Sequence, residues 1–499
     1  MALLDAPGAG SVLAGGRGRG RRPFDAEGRD PTRSWRLVVA AAILLAFASL
    51  LLPSEPTYDP WAWIIWSREV TEGALSTTSG PSWKPLPVIL TTPFALLGDD
   101  LAVAAWLVIA RAGGLLAVVM AFRLGARLAG PVAGVIAGSA LLFADEFVRN
   151  FARGNSEGLL VAMVLFAVER HLDGRRGPAF ALGLGAALLR PEVWPFLGLY
   201  GLWLGWREPR HRRLVAGGFV GLAVLWFGPE WWGSGNPLRA SDRARQPNPG
   251  SAAFADHPFL EVFRRSWHVL VFPVLLGAAI GLASAVRDGL RRGGGGLRIA
   301  FGAGAAILML MVAAMTQAGY AGNLRYVALP AALLCALAGA GWVDVVRSVS
   351  RRWGELAGVA AATLIVAATV PFVVHDAGTF MKDMRLVRDE AALYRDLDNA
   401  VSAAGGAARA RSCGAIFTGN FDTTALAWRL HVPMERTEIV PYGPGIVFAA
   451  RRFSLTRPQP SVLSRDRRYR LVAGSRHWVV RARCGPAAPR RVLPRPLQD

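Results

Sequence analysis

The feature that most constrains this chain is a series of apolar runs of membrane-spanning length, which recur from Trp35 to about Phe372. A bilayer core is crossed by about 20 apolar residues in a helix, and only helices or closed barrels satisfy every backbone hydrogen bond there. Mean hydropathy is +0.33, and 53% of the 499 residues are hydrophobic. The pattern predicts an all-α polytopic membrane protein.

About eleven transmembrane helices fit these runs, and their connectors alternate in charge. The loops predicted to be cytoplasmic are rich in arginine, whereas outer loop 54–100 has two basic residues against six acidic ones. Because positively charged connectors stay inside, the N-terminus is predicted to be cytoplasmic. Loop 231–266, with five Arg against three acids, is an exception that the other connectors outweigh. The predicted spans are 36–53, 101–122, 130–144, 157–170, 179–191, 193–206, 213–230, 267–286, 298–318, 325–342 and 354–374.

Three regions follow from this pattern. Residues 1–35 are a basic cytoplasmic arm predicted to be disordered, and residues 36–375 are the multispanning domain with outer loops 54–100, 145–156 and 231–266. Residues 376–499 hold no run that could span a bilayer, and an odd number of spans places them outside the cytoplasm. A preference for Arg over Lys, with abundant Ala and Gly, indicates a GC-rich bacterial genome, so the location is a bacterial plasma membrane.

The C-terminal region is predicted to be a small extracytoplasmic α/β domain. Cys413 and Cys484 fall in or beside its strands, and an extracytoplasmic space is oxidising, so we expect them to form a disulfide. Cys335 lies in an apolar run and is a small packing residue. The predicted elements are helix Leu386–Ala403, strand Cys413–Thr418, helix Thr423–Leu430 capped by Asp422, and a hairpin of Tyr469–Ala473 with His477–Arg483.

The net charge of +21 does not indicate a nucleic-acid partner. The arginines lie mostly in connectors and tails, where basic residues beside apolar spans set membrane topology. Membrane lipids are therefore the expected partners of these charges, and nucleic acid is not. No His, Cys or acidic residues have the spacing of metal ligands, so no metal site is predicted.

Outer loop 54–100 begins with Tyr58-Asp59-Pro60-Trp61-Ala62-Trp63, an acid just past the first span followed by an interfacial helix. Asp59 can be the N-cap of that helix, with Pro60 at its first position, or a reactive carboxylate at the membrane interface. The tryptophans, Trp61 and Trp63 among them, are expected to form an interfacial belt or a platform on which a sugar stacks. A short apolar run, 88–97, reads as a re-entrant or interfacial segment.

Further short motifs lie near the predicted outer ends of later spans. They are Asp145-Glu146, Asn155-Ser156-Glu157-Gly158, Leu188-Leu189-Arg190-Pro191-Glu192 and Asn323-Leu324-Arg325-Tyr326. With Asp59, this layout over about 54–345 resembles the C-type (GT-C fold) glycosyltransferases, multispanning enzymes that take sugars from polyprenyl-phosphate donors. Pro60 stands where many of these enzymes have a second acid.

The resemblance implies transfer of a sugar from a polyprenyl-phosphate donor to an extracytoplasmic glycan, lipid or protein acceptor. Asp59 would be the general base, its pKa raised by burial against Trp61 and Trp63, with Asp145 and Glu146 as further acidic candidates. Cations suit the donor phosphate, and no cofactor beyond that donor is certain. The expected phosphate-binding residues are Lys84, Arg153, Arg190, Arg325 and Tyr326.

Each assignment has an alternative. Asp145 and Glu146 can be ordinary loop acids, and Arg153, Arg190 and Arg325 can anchor span ends at lipid headgroups. At the level of function, a lipid or solute transporter or flippase would predict internal repeats and broken, charged spans near the midplane, and no convincing repeat is found. A non-catalytic scaffold for envelope assembly, with the C-terminal domain as its binding part, is the remaining alternative.

Overall fold

The computed structural model of this chain describes residues 31–292, 294–451 and 468–485. The basic arm predicted for residues 1–35 lies almost wholly outside these ranges. The α-helices within them are α1 Pro31–Ala48, α2 Tyr58–Thr71, α3 Pro85–Ala95, α4 Asp99–Ala129, α5 Pro131–Leu142, α6 Phe147–Ala152, α7 Glu157–Leu172, α8 Arg176–Ala187, α9 Trp194–Arg207, α10 Arg212–Ser234, α11 Arg239–Ala244, α12 Pro258–Ser266, α13 Phe272–Arg292, α14 Gly296–Gln317, α15 Ala328–Trp353, α16 Glu355–Ala403, α17 Gly406–Ser412 and α18 Thr423–Arg429.

Each predicted span falls on a helix of this bundle, and the chain is a multi-pass membrane protein. In the described part of the chain, six helices are long and apolar enough to cross a bilayer: 99–129, 209–234, 272–291, 296–317, 324–353 and 355–403. The other five predicted spans fall on the shorter helices α1, α5, α7, α8 and α9. The predicted all-α polytopic fold is confirmed, and the number eleven stays a prediction.

α15 lies at the centre of the bundle and packs closely against its neighbours. A β-carbon added at Gly339 would collide with the backbone of Ala133 on α5, and one at Gly341 would collide with Gly277 on α13. Small residues allow such close approach of helix backbones, and that approach is the main source of packing energy between helices in lipid. The apolar part of α16 is, by contrast, almost entirely exposed, as expected for a helix that faces lipid.

α16 continues unbroken from the membrane into the C-terminal domain. The helix predicted over Leu386–Ala403 is not separate, because it forms the last part of the 49-residue α16. Only that last part is extensively buried: Val387 and Ala391 are buried, and Leu393 and Leu397 belong to the hydrophobic core of the domain. The domain is therefore attached to the bundle by a continuous helix.

The C-terminal domain is the predicted small α/β unit. Its five described strands are β1 Ala415–Thr418, β2 Thr437–Glu438, β3 Gly445–Ala450, β4 Arg470–Gly474 and β5 Trp478–Arg483. They form one sheet in the order β2-β1-β3-β5-β4, with β1 parallel to both of its neighbours and β5 antiparallel to β3 and β4. The predicted hairpin is confirmed as β4 and β5.

Two local predictions in this domain have clear outcomes. Asp422 stands before α18, but its side chain makes no capping bond, and its Oδ1 accepts a hydrogen bond from the Tyr394 hydroxyl at 3.2 Å. Asp422 thus occupies the predicted N-cap position but not the predicted capping role, and a buried tyrosine on α16 is one partner of its carboxylate. Cys413 and Cys484 form a disulfide in the structure, and Cys335 is buried with a free thiol.

The tryptophans of α2 join the bundle to the C-terminal domain. Trp61, 3% exposed, packs against Trp428 of α18 with ring centroids 5.6 Å apart. Trp63, 0% exposed, meets the edge of Trp106 on α4. Both predictions for these residues, an interfacial belt and a sugar-stacking platform, are wrong, because neither ring is accessible to lipid or substrate. The two rings are the core on which loop 54–100 and the domain are built.

Candidate active site

The site is centred on an ion pair between the first turn of α2 and the segment before α15. α2 begins at Tyr58 with Thr57 as its N-cap, so Asp59 lies inside the helix. Its Oδ2 accepts a hydrogen bond from Nη2 of Arg325 at 2.7 Å. The prediction that Asp59 caps the helix is wrong, because its carboxylate is turned towards Arg325. Asp59 and Arg325 are 15% and 21% exposed, so both charges border an opening.

The loop before α7 holds the same arginine from a second direction. Arg325 donates from Nη1 to the side-chain oxygen of Asn155 at 2.9 Å, and its Nε lies 3.6 Å from Oε1 of Glu157. The hydroxyl of Thr57 also donates to the Asn155 oxygen, at 3.2 Å. The guanidinium plane is thus fixed by two acids and one amide.

Arg190, which follows α8, is the next member of this group of charged residues. The group, called the Asp59 cluster below, consists of Asp59, Lys84, Glu157, Arg190 and Arg325. It makes an ion pair with Oε1 of Glu157, and it lies over the Tyr326 ring with its guanidinium carbon 4.2 Å from the ring centroid. Glu157 is 2% exposed and Arg190 is 6% exposed. Oε2 of Glu157 has no hydrogen-bond partner among the residues that the structure describes. A buried carboxylate oxygen without a partner is costly in a fold unless a ligand or water completes it.

Lys84 is the third cation of the cluster. Its ammonium lies 4.8 Å from the centroid of the Trp63 ring, at the start of α3, and the residue is 7% exposed. Burial, and then repulsion by Arg190, lowers the pKa of Lys84 to about 7, although Glu157 and Asp59 act in the opposite direction. Its charge is therefore sensitive to any anion that enters the cluster.

The pKa of Asp59 moves opposite to the sequence prediction. Burial does raise it, but the positive charges of Arg325 and Lys84 outweigh burial and leave the pKa below its ordinary value. The predicted raised pKa is wrong for the ligand-free site, because the nearby cations were not visible from the tryptophan-rich motif. Asp59 is an ionised carboxylate here, and its basicity depends on what else engages Arg325.

Arg153, Asp145 and Glu146 lie outside this cluster. Arg153 pairs with Glu390 of α16 at 2.7 Å, so its side chain is turned away from the Asp59 cluster, and its assignment to phosphate stays a prediction. Glu146 makes an ion pair with Arg149, whose other nitrogen lies 2.7 Å from Asp383. Asp145 and Glu146 line a cavity of about 320 Å³ between α6, α13 and α16.

A smaller cavity of about 20 Å³, about the room that one water molecule needs, is lined by residues of both groups. It is lined by Asp145 on one side and by Glu157 and Arg325 on the other. Asp145 borders both cavities, so it is the predicted acid of this loop that adjoins the Asp59 cluster. In the described residues, no group of three or more His, Cys, Asp or Glu side chains is placed to hold a metal ion.

Solved structures of other membrane proteins are similar to this chain. The crystal structure of ArnT from Cupriavidus metallidurans bound to undecaprenyl phosphate has a TM-score of 0.53 and 15% identity, covering 92% of this chain and 100% of that chain. The apo state of the same protein has a TM-score of 0.54 and 17% identity over the same shares. The oligosaccharyltransferase of Archaeoglobus fulgidus in its apo form has a TM-score of 0.45 and 13% identity, covering 81% of this chain and 64% of that chain.

No family model matches this sequence, and no curated protein sequence matches it. The likeness to ArnT extends over nearly the whole of both chains. This chain therefore has the GT-C fold, as its resemblance to that class of membrane proteins predicted.

Proposed function

We propose that this chain transfers a sugar from a polyprenyl-phosphate donor to a hydroxyl of an acceptor on the extracytoplasmic side of the membrane. The observation that carries the proposal is the convergence of Lys84, Arg190 and Arg325 beside the carboxylate of Asp59. Three cations within one buried cluster provide an anion site, and the acid beside them provides a base. ArnT, which shares the fold, binds undecaprenyl phosphate.

The donor phosphate is the group that the three cations would hold. Arginine binds two phosphate oxygens at once through its planar fork, and lysine acts as a compact point charge. Asp59 and Glu157 form ion pairs with two of these three cations, Arg325 and Arg190. A phosphate that enters adds negative charge to the cluster and shares the arginine donors with these two acids. Tyr326 stacks on Arg190 and fixes the plane of its guanidinium.

Asp59 would act once Arg325 turns to the phosphate. The acceptor oxygen attacks the anomeric carbon, and its proton passes to the Asp59 carboxylate. The bond between the anomeric carbon and the phosphate oxygen breaks at the same time, and the electron pair leaves with the polyprenyl phosphate. The negative charge that develops on that oxygen is stabilised by Arg325, Arg190 and Lys84. Loss of the Arg325 contact raises the basicity of Asp59 when the base is needed.

Two measurements test the proposal. Purified protein should bind undecaprenyl phosphate, and Arg325→Ala should weaken that binding, because it removes a cation that meets phosphate. Membranes that contain the protein should transfer labelled sugar from polyprenyl-phosphate donors to an acceptor, and membranes without it should not. Arg153→Ala is the matched control, because its charge is paired with Glu390 outside the cluster. Equal undecaprenyl-phosphate binding by wild-type protein and Arg325→Ala would contradict this assignment.

A further inference from the structure

The 320 Å³ cavity beside α6 differs in chemistry from the cation cluster. Four carboxylates line it, together with one guanidinium, that of Arg149, and two imidazoles, those of His268 and His375. Arg149 is already shared by Glu146 and Asp383, which leaves Asp145 and Asp376 without an arginine partner of their own among the described ion pairs. The cavity therefore carries excess negative charge.

Aromatic side chains form much of the remaining wall. The rings of Phe143 and Phe380 meet edge to face with centroids 6.0 Å apart, and Phe272 and Phe372 are 6.5 Å apart across α13 and α16. Trp267 contributes an exposed indole. Flat apolar faces beside hydrogen-bond acceptors suit a ligand that has both carbon–hydrogen faces and hydroxyl groups.

The cavity also adjoins the reacting groups. Ala144, Asp145 and Phe147 line both it and the small cavity that reaches Glu157 and Arg325. Glu157, a residue 2% exposed, lines the small cavity, and its Oε2 has no hydrogen-bond partner among the described residues. An unpartnered buried carboxylate oxygen needs a hydrogen-bond donor, and a hydroxyl can supply one. A ligand in the large cavity would extend towards the Asp59 cluster by this route.

We infer that this cavity binds the acceptor and that the bound end of the acceptor is an unphosphorylated, uncharged sugar. The inference rests on the proposed function and specifies its second substrate. A phosphate would meet four carboxylates here, whereas three cations for the donor phosphate lie beyond the small cavity. Sugar hydroxyls donate to carboxylates, and the sugar ring packs on the phenylalanines. The two substrates are thus sorted by charge on either side of Asp145.

The first test measures the charge of the cavity with a single introduced thiol. Thr379 lines the cavity, and Thr379→Cys places a thiol there, while Cys335 is buried and Cys413 is paired with Cys484. Ser402→Cys, at an exposed position on α16, is the control. The probes are the trimethylammonium-ethyl and sulfonato-ethyl methanethiosulfonates. The cation-to-anion rate ratio should be about tenfold higher at Thr379→Cys than at Ser402→Cys. A ratio equal to or below the control would overturn the inference.

The second test identifies the acceptor in native membranes. Labelling Thr379→Cys with a bulky neutral methanethiosulfonate should abolish sugar transfer and leave undecaprenyl-phosphate binding unchanged. The sugar transferred by unlabelled protein should be found on a hydroxyl of an unphosphorylated sugar. Label on a peptide or on a phosphorylated residue would overturn the inference and leave the proposed function standing. If wild-type membranes neither transfer sugar nor bind undecaprenyl phosphate, the proposed function fails, and this inference fails with it.

Discussion

Nη2 of Arg325 lies 2.7 Å from Oδ2 of Asp59, although the two residues are 266 positions apart in the chain. The pair joins the first turn of α2 to the segment that enters α15, and Asn155 braces it from the α7 side. A carboxylate held by a guanidinium is a weak base. On the proposed function, the pair would keep Asp59 unreactive until Arg325 binds the donor phosphate, and donor binding would activate Asp59.

Asp59→Asn is expected to fold and to lose sugar transfer. The amide keeps the size of the side chain and can still accept a hydrogen bond from Arg325, but it cannot take a proton. Removal of a general base typically costs about 10²–10⁴-fold in rate. The measurement is transfer of labelled sugar in membranes at matched protein levels.

Asp100→Asn is the matched control for this substitution, because Asp100 is an exposed acid of the same loop. It should retain wild-type transfer. If Asp59→Asn keeps more than about a tenth of wild-type activity, the loss in rate is smaller than removal of a general base should cause. The role of the base would then pass to Asp145, which lines the small cavity. Retained transfer after neutralisation of Asp59, Asp145 and Glu146 together would contradict the glycosyltransferase proposal.

Arg190→Ala is expected to lower stability as well as activity. Glu157 is 2% exposed and pairs with Arg190, so the substitution leaves a buried carboxylate with Arg325, at 3.6 Å, and Lys84 as its remaining nearby cations. Breaking a buried pair on one side typically costs about 3–5 kcal/mol. The melting temperature in detergent should fall clearly. Arg210→Ala, which breaks an exposed pair with Glu208, should leave the melting temperature unchanged. Equal melting temperatures for Arg190→Ala and Arg210→Ala would contradict the structural role of the Arg190–Glu157 pair.

The bundle and the C-terminal domain were predictable because both depend on local pattern. Local sequence pattern determines these elements, because an apolar run of bilayer length predicts a spanning helix and alternation predicts a strand. The strands are 469–473 and 477–483. The junction between them was not predictable. Leu386–Ala403 is amphipathic enough to read as a separate helix, yet nothing in the intervening residues ends α16. Pro371 lies inside that helix and does not stop it.

The site was only partly predictable, since its contacts join distant segments. The motifs around Asp59, Arg190 and Arg325 were predicted, but the ion pair of Arg153 with Glu390 was not, because Glu390 lies on a distant helix. Glu157 was quoted as part of a motif and not as a site residue. Its position at the start of a predicted span is the signal that was available, because an ionisable residue at membrane depth is costly unless it has a function.

The Cys413–Cys484 bond is expected to stabilise the C-terminal domain, and it can be tested directly. On the chain-entropy model, closing a loop over a separation of 71 residues contributes about 4 kcal/mol. Non-reduced peptide mass spectrometry should recover the two cysteines in one linked species. Cys413→Ala should make the domain more sensitive to protease, whereas Cys335→Ala should not. Free thiols at both positions in freshly extracted protein would contradict the pairing.

The membrane orientation is a separate prediction. Both the Asp59 cluster and the C-terminal domain contact α2, so they lie on the same side of the bundle, and the arginine-rich connectors predict that this side is extracytoplasmic. Alkaline phosphatase fused after Asp499 should be active, and green fluorescent protein fused there should be dark. The reverse result would place the Asp59 cluster in the cytoplasm and contradict the proposed acceptor side.

Donor binding should depend on pH through Lys84, whose pKa is lowered to about 7 by burial and by Arg190. Below that pH the side chain is charged and attracts phosphate, whereas above it the neutral amine does not. Affinity for undecaprenyl phosphate should therefore rise as the pH falls from 8 to 6, by up to about tenfold if the phosphate restores two pKa units to Lys84. Lys84→Met should bind weakly at both pH values.

The lipid phosphate itself takes up a proton near pH 6, with a second pKa of about 6 for phosphate monoesters, so the informative quantity is the ratio of wild-type to Lys84→Met affinity at each pH. Any change in the lipid cancels in that ratio, and the contribution of Lys84 remains. Lys84→Arg keeps its positive charge at every pH tested. The pH dependence of its affinity should therefore reflect only the protonation of the lipid phosphate. Titration of tryptophan fluorescence with undecaprenyl phosphate at pH 6, 7 and 8 provides the measurement. A wild-type to Lys84→Met ratio that stays constant across these pH values would show that Lys84 does not meet the donor phosphate.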